Sequence, residues 1–156
     1  MMKIRRAKEK DIDRIMTLLC QVNEIHHRGR PDIFNLATKY SKEQLSGMIL
    51  DSKNPIFVAA DDDDVTVGYA FCVFEQILHD RMRTEIKTLY IDDLCVDEQC
   101  RGMHVGKALY EHVVEYAREN GFYNVTLNVW SLNPDALRFY EAMGMKKQKI
   151  GMETIL

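Results

Sequence analysis

Apolar side chains in this chain follow two different periods. They recur at every third or fourth position in residues 12–22, 105–117 and 136–143, which predicts amphipathic helices. A shorter helix, capped by Ser41, is predicted in residues 41–52. Strands are predicted where β-branched and aromatic residues alternate or run together, which occurs in residues 3–7, 55–60, 65–76, 88–96, 124–130 and 145–156. The order β α α β β β α β α, followed by one or two final strands, indicates an α/β fold with a mixed sheet.

The strand predicted in residues 88–96 loses its alternation near the middle. Leu89 and Ile91 share one parity, whereas Leu94 and Val96 share the other, so the pattern shifts by one residue near Asp92–Asp93. A β-bulge produces such a shift because one extra residue turns every later side chain to the opposite face. A central strand that is buried on both faces also lacks strict alternation. The sequence leaves both interpretations open.

The size and composition suit one globular domain that spans residues 1–156. Hydrophobic residues make up 46% and charged residues 29% of the sequence, which excludes a disordered or fibrous protein. The net charge of −3 gives no global basic field for nonspecific nucleic-acid binding, so no nucleic-acid partner is expected. No apolar run approaches the roughly 20 residues of a membrane span, and the N-terminus lacks the apolar core of a signal peptide. We therefore expect a cytoplasmic protein without a membrane partner.

Neither the cysteines nor the acidic run predicts a metal site. The cysteines have no C-x-x-C spacing, and we expect most of them to be small buried side chains in a reducing compartment. They are Cys20, Cys72, Cys95 and Cys100. The acidic run Asp61–Asp64 is interpreted as a solvated hairpin turn, because adjacent side chains on a tight turn do not all converge on one ion.

The turn that follows the irregular strand is a candidate anion site. A strand that leads into a helix presents free backbone N–H groups at the positive end of that helix. Gly102 and Gly106 allow close backbone approach, and Arg101 and Lys107 can bond phosphate oxygens. The spacing matches neither G-x-x-x-x-G-K-[ST] nor G-x-G-x-x-G, which argues against ATPase and dinucleotide sites. Taken alone, the turn is equally compatible with basic residues that merely decorate a helix start.

Two motifs together resemble the GNAT family of acetyl-coenzyme A-dependent N-acetyltransferases. The family's R/Q-x-x-G-x-G/A turn corresponds to residues 101–106, and its N-x-x-A-x-x-x-Y-x-x-x-G segment corresponds to residues 133–144. The order of the elements agrees over nearly the whole chain. One position departs from the pattern, because His104 stands where the family usually has glycine. Its Cβ would crowd the phosphates, or its imidazole would donate a hydrogen bond to them.

The resemblance implies a mostly antiparallel mixed sheet flanked by helices, with a bulged fourth strand. It implies acetyl-CoA as the acetyl donor, no metal, and main-chain N–H groups of Cys95 and Val96 that polarise the acetyl carbonyl. It further implies Tyr140 as the general acid and Asp92 as the general base, with Asp93 as the competitor for that role. The implied cofactor-binding residues are Leu94, Cys95, Val96, Arg101, Gly102, Met103, His104, Val105, Gly106, Lys107, Asn133 and Tyr140.

Each of these roles has a structural alternative. Tyr140 also fits a core position, because it belongs to an apolar helical stripe. Both acids could be strand-end residues without a catalytic role, and Asn133 could serve only as a helix cap. A covalent step on Cys95 is not required, because an amine can attack the thioester directly. The whole chain could also be a non-catalytic acyl-coenzyme A-binding sensor or interaction module.

The acceptor is the least determined part of the sequence-based account. In this fold, a primary amine of a small molecule or peptide would enter near the first helix–helix loop and the connector before the bulged strand. Several cations there favour an acceptor that carries a carboxylate or phosphate and disfavour a polyamine. Zinc is not supported, because no acid or cysteine spacing accompanies the histidines. The residues in question are His26, His27, Arg28, Arg30, Phe34, Tyr40, His79, Arg81 and Arg83. A homodimer through sheet edges or C-terminal strands is also possible.

Overall fold

The computed structural model describes residues 2–156 and contains five strands and four α-helices in that range. In chain order they are β1 (Lys3–Arg6), α1 (Ile12–Gly29), α2 (Lys42–Ile49), β2 (Ile56–Ala60), β3 (Thr66–Gln76), β4 (Lys87–Val96), α3 (Val105–Glu119), β5 (Asn124–Leu127) and α4 (Pro134–Ala142). Among residues 2–156, no helix is both long and apolar enough to cross a bilayer.

The strands form one mixed sheet in the order β1-β2-β3-β4-β5. Neighbours from β1 to β4 are antiparallel, and β5 is parallel to β4. The expected mixed, mostly antiparallel sheet flanked by helices is therefore confirmed.

The fourth strand contains the bulge that the parity shift indicated. Phe71 lies opposite Asp93, but the next residue, Cys72, lies opposite Ile91, so Asp92 is the extra residue. The pairing of β4 with β5 ends at the same level, at Ile91 opposite Leu127. Beyond this point β4 has a free edge on the β5 side, which opens a cleft in the sheet.

Helices cover both faces of the sheet. The buried side chains of α1 and α2 pack on one face, and those of α3 pack on the other. The apolar stripe of α3 is buried as its spacing predicts, at Val105, Leu109, Val113 and Ala117. Ser41 caps α2 by accepting a hydrogen bond from the N–H of Gln44 at 3.2 Å, while the Gln44 side chain returns to the N–H of Ser41.

Two elements differ from the prediction. Helix α1 continues through the histidine pair to Gly29, where a Cβ would lie 2.9 Å from the Cβ of Leu132, so the glycine permits close packing instead of ending the helix earlier. Residues 145–156 form no strand: β5 is the edge of the sheet, and no other segment of residues 2–156 pairs with its outer side. This segment is instead tied to α1 through an ion pair of Glu153 with Arg30.

Candidate active site

The turn before α3 has the backbone geometry of an anion site. Gly102 has a φ of 82° and His104 has a φ of 61°, so both residues lie in the left-handed region. His104 is the N-cap of α3, and its side chain makes no capping hydrogen bond. The first N–H groups of the helix therefore have no carbonyl acceptor within the helix, and they point out of its N-terminal end. The side chains of Arg101 and His104 are exposed beside them.

The departure from the family pattern at His104 has a conformational consequence. A left-handed conformation is the one that glycine adopts without strain, and histidine adopts it only at a cost. Gly106, in contrast, is needed for packing, because a Cβ there would lie 3.2 Å from the Cζ of Phe139 on α4. The two positions thus serve different purposes within one turn.

The bulge turns both acids to the face that carries α1 and α2. Asp92 accepts a hydrogen bond from the hydroxyl of Tyr40, and its Oδ1 lies 3.2 Å from the Nζ of Lys39. Asp93 accepts a hydrogen bond from the hydroxyl of the buried Tyr69 at 2.9 Å. Adjacent strand residues normally face opposite sides, and the extra residue in β4 removes that alternation. Asp92 thus forms an ion pair with Lys39, whereas the side-chain partner of Asp93 is the uncharged hydroxyl of Tyr69.

Asp93 is poised to accept a proton near neutral pH. Burial raises the pKa of its carboxyl to about 6, although the hydrogen bond from Tyr69 and the charge of Lys39 act in the opposite direction. The charge of Asp92 adds to the increase. A carboxylate with this pKa suits a general base better than an ordinary aspartate does.

Tyr140 lies close to Asp93 in the cleft. Burial, followed by the nearby Asp93 and Cys95, raises the pKa of the Tyr140 phenol, so it is a neutral proton donor at pH 7. Its ring lies 6.3 Å from that of Tyr110 on α3, measured between centroids. The structure therefore brings Tyr140 to Asp93, while Asp92 is held at the α1–α2 loop.

Cys95 is buried and protonated. Burial raises the pKa of its thiol to about 12, and its Sγ lies 3.7 Å from the main-chain oxygen of Leu18. A thiol in this state is a poor nucleophile. The geometry therefore disfavours an acyl-cysteine intermediate.

The register of β4 distinguishes the backbone donors of its second half. The N–H of Asp97 donates to the oxygen of Val67 at 2.8 Å, and Cys95 lies opposite Tyr69. In an antiparallel ladder, every second residue directs its N–H to the same neighbour. The N–H of Cys95 therefore faces β3, whereas that of Val96 faces the open edge towards the cleft. The register thus favours Val96 and does not support the expected donor at Cys95.

Asn133 and the remaining turn residues occupy the positions that the sequence indicated. The side chain of Asn133 accepts a hydrogen bond from the N–H of Ala136 at 3.2 Å and caps α4. Met103 is 60% exposed at the outer side of the turn. Lys107 lies one helical turn from Glu111, with 3.9 Å between Nζ and Oε1.

Residues 2–156 contain no cluster of three or more His, Cys, Asp or Glu residues able to hold a metal ion.

Two of the cations predicted near the acceptor are paired with carboxylates. Arg28 pairs with Glu24, and Arg30 pairs with both Asp32 and Glu153. These two pairs weaken the argument for an acceptor with a carboxylate or phosphate, which stays a prediction.

Tyr69 and Lys39 contact the two acids, and Trp130 packs beside the predicted acceptor loop, but none of the three was identified from the sequence. Tyr69 reaches Asp93 only because of the register between β3 and the bulged β4, which no local pattern reveals. Trp130 follows β5 and packs its ring against Phe34, with 5.0 Å between centroids. Its position immediately before the Asn133 segment was the one available signal.

A cavity of about 130 Å³ lies beside Asp92, between α2 and the sheet. Its lining is mostly apolar and consists of Met48, Asp51, Asn54, Ile56, Phe71, Cys72, Val73 and Asp92.

The fold and a sequence model together identify the family of the chain. A sequence model of the Acetyltransferase (GNAT) family matches residues 19–145. The chain belongs to the GNAT acetyltransferase family and is an acyltransferase.

Similar proteins agree with this assignment. The chain is 27% identical over 146 residues to the peptidyl-lysine N-acetyltransferase YjaB of Salmonella typhimurium, and the match covers 94% of this chain and 84% of that protein. The crystal structure of a mutant of the BH1408 protein from Bacillus halodurans superposes with a TM-score of 0.95 at 30% identity and covers 99% of both chains. A glucosamine-6-phosphate N-acetyltransferase from Arabidopsis thaliana matches with a TM-score of 0.73 at 21% identity, over 99% of this chain and 98% of that one, and shows the shared fold alone.

Proposed function

We propose that the protein transfers an acetyl group from acetyl-CoA to a primary amine of a small molecule or peptide. The observation that carries this proposal is the pairing of two groups at the cleft beside the bulge. Asp93, with a pKa of about 6, lies within electrostatic range of the protonated Tyr140, whose pKa it helps to raise. A base near neutrality beside a neutral acid is what amine acylation requires. The same pairing argues against a non-catalytic binding module.

The donor substrate would be held by backbone and basic groups of β4 and the following turn. The exposed Arg101 and the free N–H groups at the start of α3 suit its pyrophosphate, and Lys107 can add a charge-assisted bond. The free edge of β4 suits its amide-bearing arm, because unpaired strand groups bond extended amides. Acetyl-CoA would supply an activated acetyl thioester at this edge. No metal takes part in the proposed reaction.

The residues of the chain would then act in sequence. Asp93 removes a proton from the acceptor ammonium, directly or through a water. The Val96 N–H donates to the thioester carbonyl oxygen as the amine nitrogen bonds to the carbonyl carbon. The carbon–sulfur bond breaks, and Tyr140 gives its proton to the departing thiolate. The attacking nitrogen then releases its second proton, which returns the Tyr140 phenolate to the phenol directly or through a water.

Asp93 is preferred to Asp92 as the base for a physical reason. Asp92 is bound by the Tyr40 hydroxyl and by the Lys39 ammonium, so its carboxylate oxygens already have partners within the protein. Asp93 has only a neutral hydroxyl as a direct side-chain partner. We therefore assign Asp92 to holding the α1–α2 loop on the bulge.

The location and assembly are proposals of the same kind. We infer a cytoplasmic protein, because all four cysteines are free thiols, as expected in a reducing compartment. A homodimer is supported by residues 145–156, which have no ladder partner and expose Ile150, Met152, Ile155 and Leu156. Sedimentation equilibrium tests the dimer, and a monomer at micromolar concentration would contradict it.

The proposed activity is tested by incubating the purified protein with acetyl-CoA and a panel of peptides, amino acids, polyamines and amino sugars. Mass spectrometry follows coenzyme A and acetylated product, because thiol dyes would react with the four free cysteines. We expect product from at least one amine, little product from Tyr140→Phe, and full activity from Tyr123→Phe, whose side chain is 74% exposed. Binding of acetyl-CoA without product from any acceptor would contradict the proposal.

A further inference from the structure

Three ring side chains from two separate loops form one surface near the site. The His26 imidazole stacks on the Phe34 ring with 4.8 Å between centroids and 24° between planes. The Phe34 ring meets Trp130 edge to face, with 5.0 Å between centroids and 80° between planes. We call His26, Phe34 and Trp130 the aromatic wall. It joins the end of α1 and its following loop to the loop between β5 and α4.

The aromatic wall is held in place by backbone interactions. The N–H of Phe34 donates to the oxygen of Arg30 at 2.9 Å, and the ring nitrogen Nδ1 of His27 lies 2.7 Å from the oxygen of Phe34. On the other loop, the N–H of Asn133 donates to the oxygen of Trp130 at 3.0 Å. These contacts hold the backbone at Phe34 and Trp130, and the ring–ring contacts restrict the side chains before any ligand arrives, which lowers the entropic cost of binding.

The aromatic wall adjoins the proposed reaction centre through Lys39. Burial, together with the nearby charge of Lys39, lowers the pKa of His26, so its imidazole is neutral at pH 7. The same Lys39 contacts Asp92, whose neighbour is the proposed base Asp93. The chain after Trp130 continues into α4, which carries Tyr140. An acceptor that crosses the aromatic wall would therefore approach the base and the acid from the α1–α2 side.

The charges around the aromatic wall suit a cationic acceptor. Arg30 faces two carboxylates, Asp32 and Glu153, and Lys39 is paired with Asp92. Asp93 adds a further carboxylate without a lysine or arginine of its own in hydrogen-bond contact. The two cations Arg30 and Lys39 are thus each paired with a carboxylate, which reduces their repulsion of an incoming ammonium group.

The shape of the surface indicates how the amine is presented. Trp130 is 44% exposed, and the cavity beside Asp92 is lined by none of the three rings. Small-molecule sites usually enclose most of their ligand, whereas an open wall suits a side chain that is delivered by a larger molecule. Aromatic faces attract ammonium groups and pack against methylene stems.

We propose that the aromatic wall is the acceptor subsite, and that the acceptor is a lysine side chain of a peptide or protein segment. Its methylene stem packs on Trp130 and Phe34, and its ammonium group is directed towards Asp93. This inference rests on the proposed acetyl transfer and adds the class of acceptor and the residues that recognise it.

The test combines binding with kinetics. Trp130 is the only tryptophan of the sequence, so changes in intrinsic tryptophan fluorescence report on the aromatic wall directly. The wild-type protein with coenzyme A is titrated with a blocked tripeptide whose central residue is lysine, and with the same peptide carrying norleucine. Steady-state kinetics then compare the wild type with Trp130→Ala, Trp130→Phe and the control Tyr123→Ala, which removes an exposed ring from a different surface.

We expect the lysine peptide to change the fluorescence at lower concentration than the norleucine peptide. The Trp130→Ala substitution should raise KM for the lysine peptide about five- to thirtyfold, in line with the loss of one ammonium–ring contact. The kcat value and KM for acetyl-CoA should stay within about a factor of two, and Trp130→Phe should retain most of the affinity.

An unchanged KM in Trp130→Ala would overturn the subsite, and so would equal fluorescence titrations with both peptides. A better kcat/KM for an arylalkylamine or an amino sugar than for the lysine peptide would overturn the acceptor class. If the wild type acetylates no amine, the proposed function fails, whereas the fluorescence titration still decides whether the aromatic wall binds lysine.

Discussion

Removal of the Tyr69 hydroxyl should move the pH at which the enzyme becomes active. The hydroxyl donates to Asp93 at 2.9 Å and so stabilises the charged carboxylate. A hydrogen bond to a charged group contributes about 1.5–3 kcal/mol. Because one pKa unit corresponds to about 1.4 kcal/mol, Tyr69→Phe should raise the pKa of Asp93 by about one to two units above its present value of about 6.

The sign follows from the role of the carboxylate. A general base acts only when it is ionised, so kcat/KM rises with pH through the pKa of Asp93 in the free enzyme. Several other groups also face Asp93 and are unchanged in the variant: Lys39 from the α1–α2 loop, Asp92 and Cys95 from β4, and Tyr140 from α4. The midpoint of the acid limb should therefore shift upwards, while the plateau at high pH is retained.

The assay is kcat/KM for one acceptor amine between pH 5 and about pH 9.5, in the wild type, Tyr69→Phe and the exposed control Tyr123→Phe. Urea unfolding at one pH checks that the buried substitution leaves the variant folded. A Tyr69→Phe profile that keeps the wild-type midpoint, or moves to lower pH, would refute the reasoning about the Tyr69–Asp93 bond.

Three further outcomes are expected. Asp93→Asn should raise the free energy of unfolding at pH 8 by up to about 3 kcal/mol but leave it nearly unchanged below pH 4. The pKa of Asp93 is raised from 3.8 to about 6 in the folded protein, so the wild type loses stability as the pH rises through this interval. Urea titrations at both pH values would detect the difference. His104→Gly should stabilise the fold by about 0.5–1 kcal/mol. Glycine removes the strain of a left-handed backbone at this position, and that gain exceeds the greater conformational entropy that glycine gives the unfolded chain. The control His79→Gly, at a φ of 59°, should give a similar gain without changing KM for acetyl-CoA. Tyr140→Phe should lower kcat about a hundredfold or more, and single-turnover kinetics should locate the loss in the transfer step.

The bulge and the anion turn could be predicted because their signals are local. The parity change between Ile91 and Leu94 is compatible with an extra residue, and a glycine-bearing turn before an apolar helical stripe indicates backbone N–H groups without carbonyl partners. The structure then decided between the two interpretations of the parity change, since the register with β3 skips Asp92.

The choice between the two acids could not be predicted, because their partners are remote in sequence. Tyr40 and Tyr69 reach Asp92 and Asp93 across separations of 52 and 24 residues. The same holds for the acceptor side, where Arg30 is neutralised by Glu153, which is 123 residues away. A sequence shows which residues carry charge, whereas the fold determines which of those charges remain free.

The most direct test of the central claim compares Asp93→Asn with Asp92→Asn on the same amine. Both substitutions remove a carboxylate from the same bulge and keep its shape, so each serves as the control for the other. The account predicts that Asp93→Asn lowers kcat/KM by about 10²–10⁴-fold, whereas Asp92→Asn lowers it less than about tenfold. Full activity in Asp93→Asn, or a larger loss in Asp92→Asn, would contradict the assignment of Asp93 as the base.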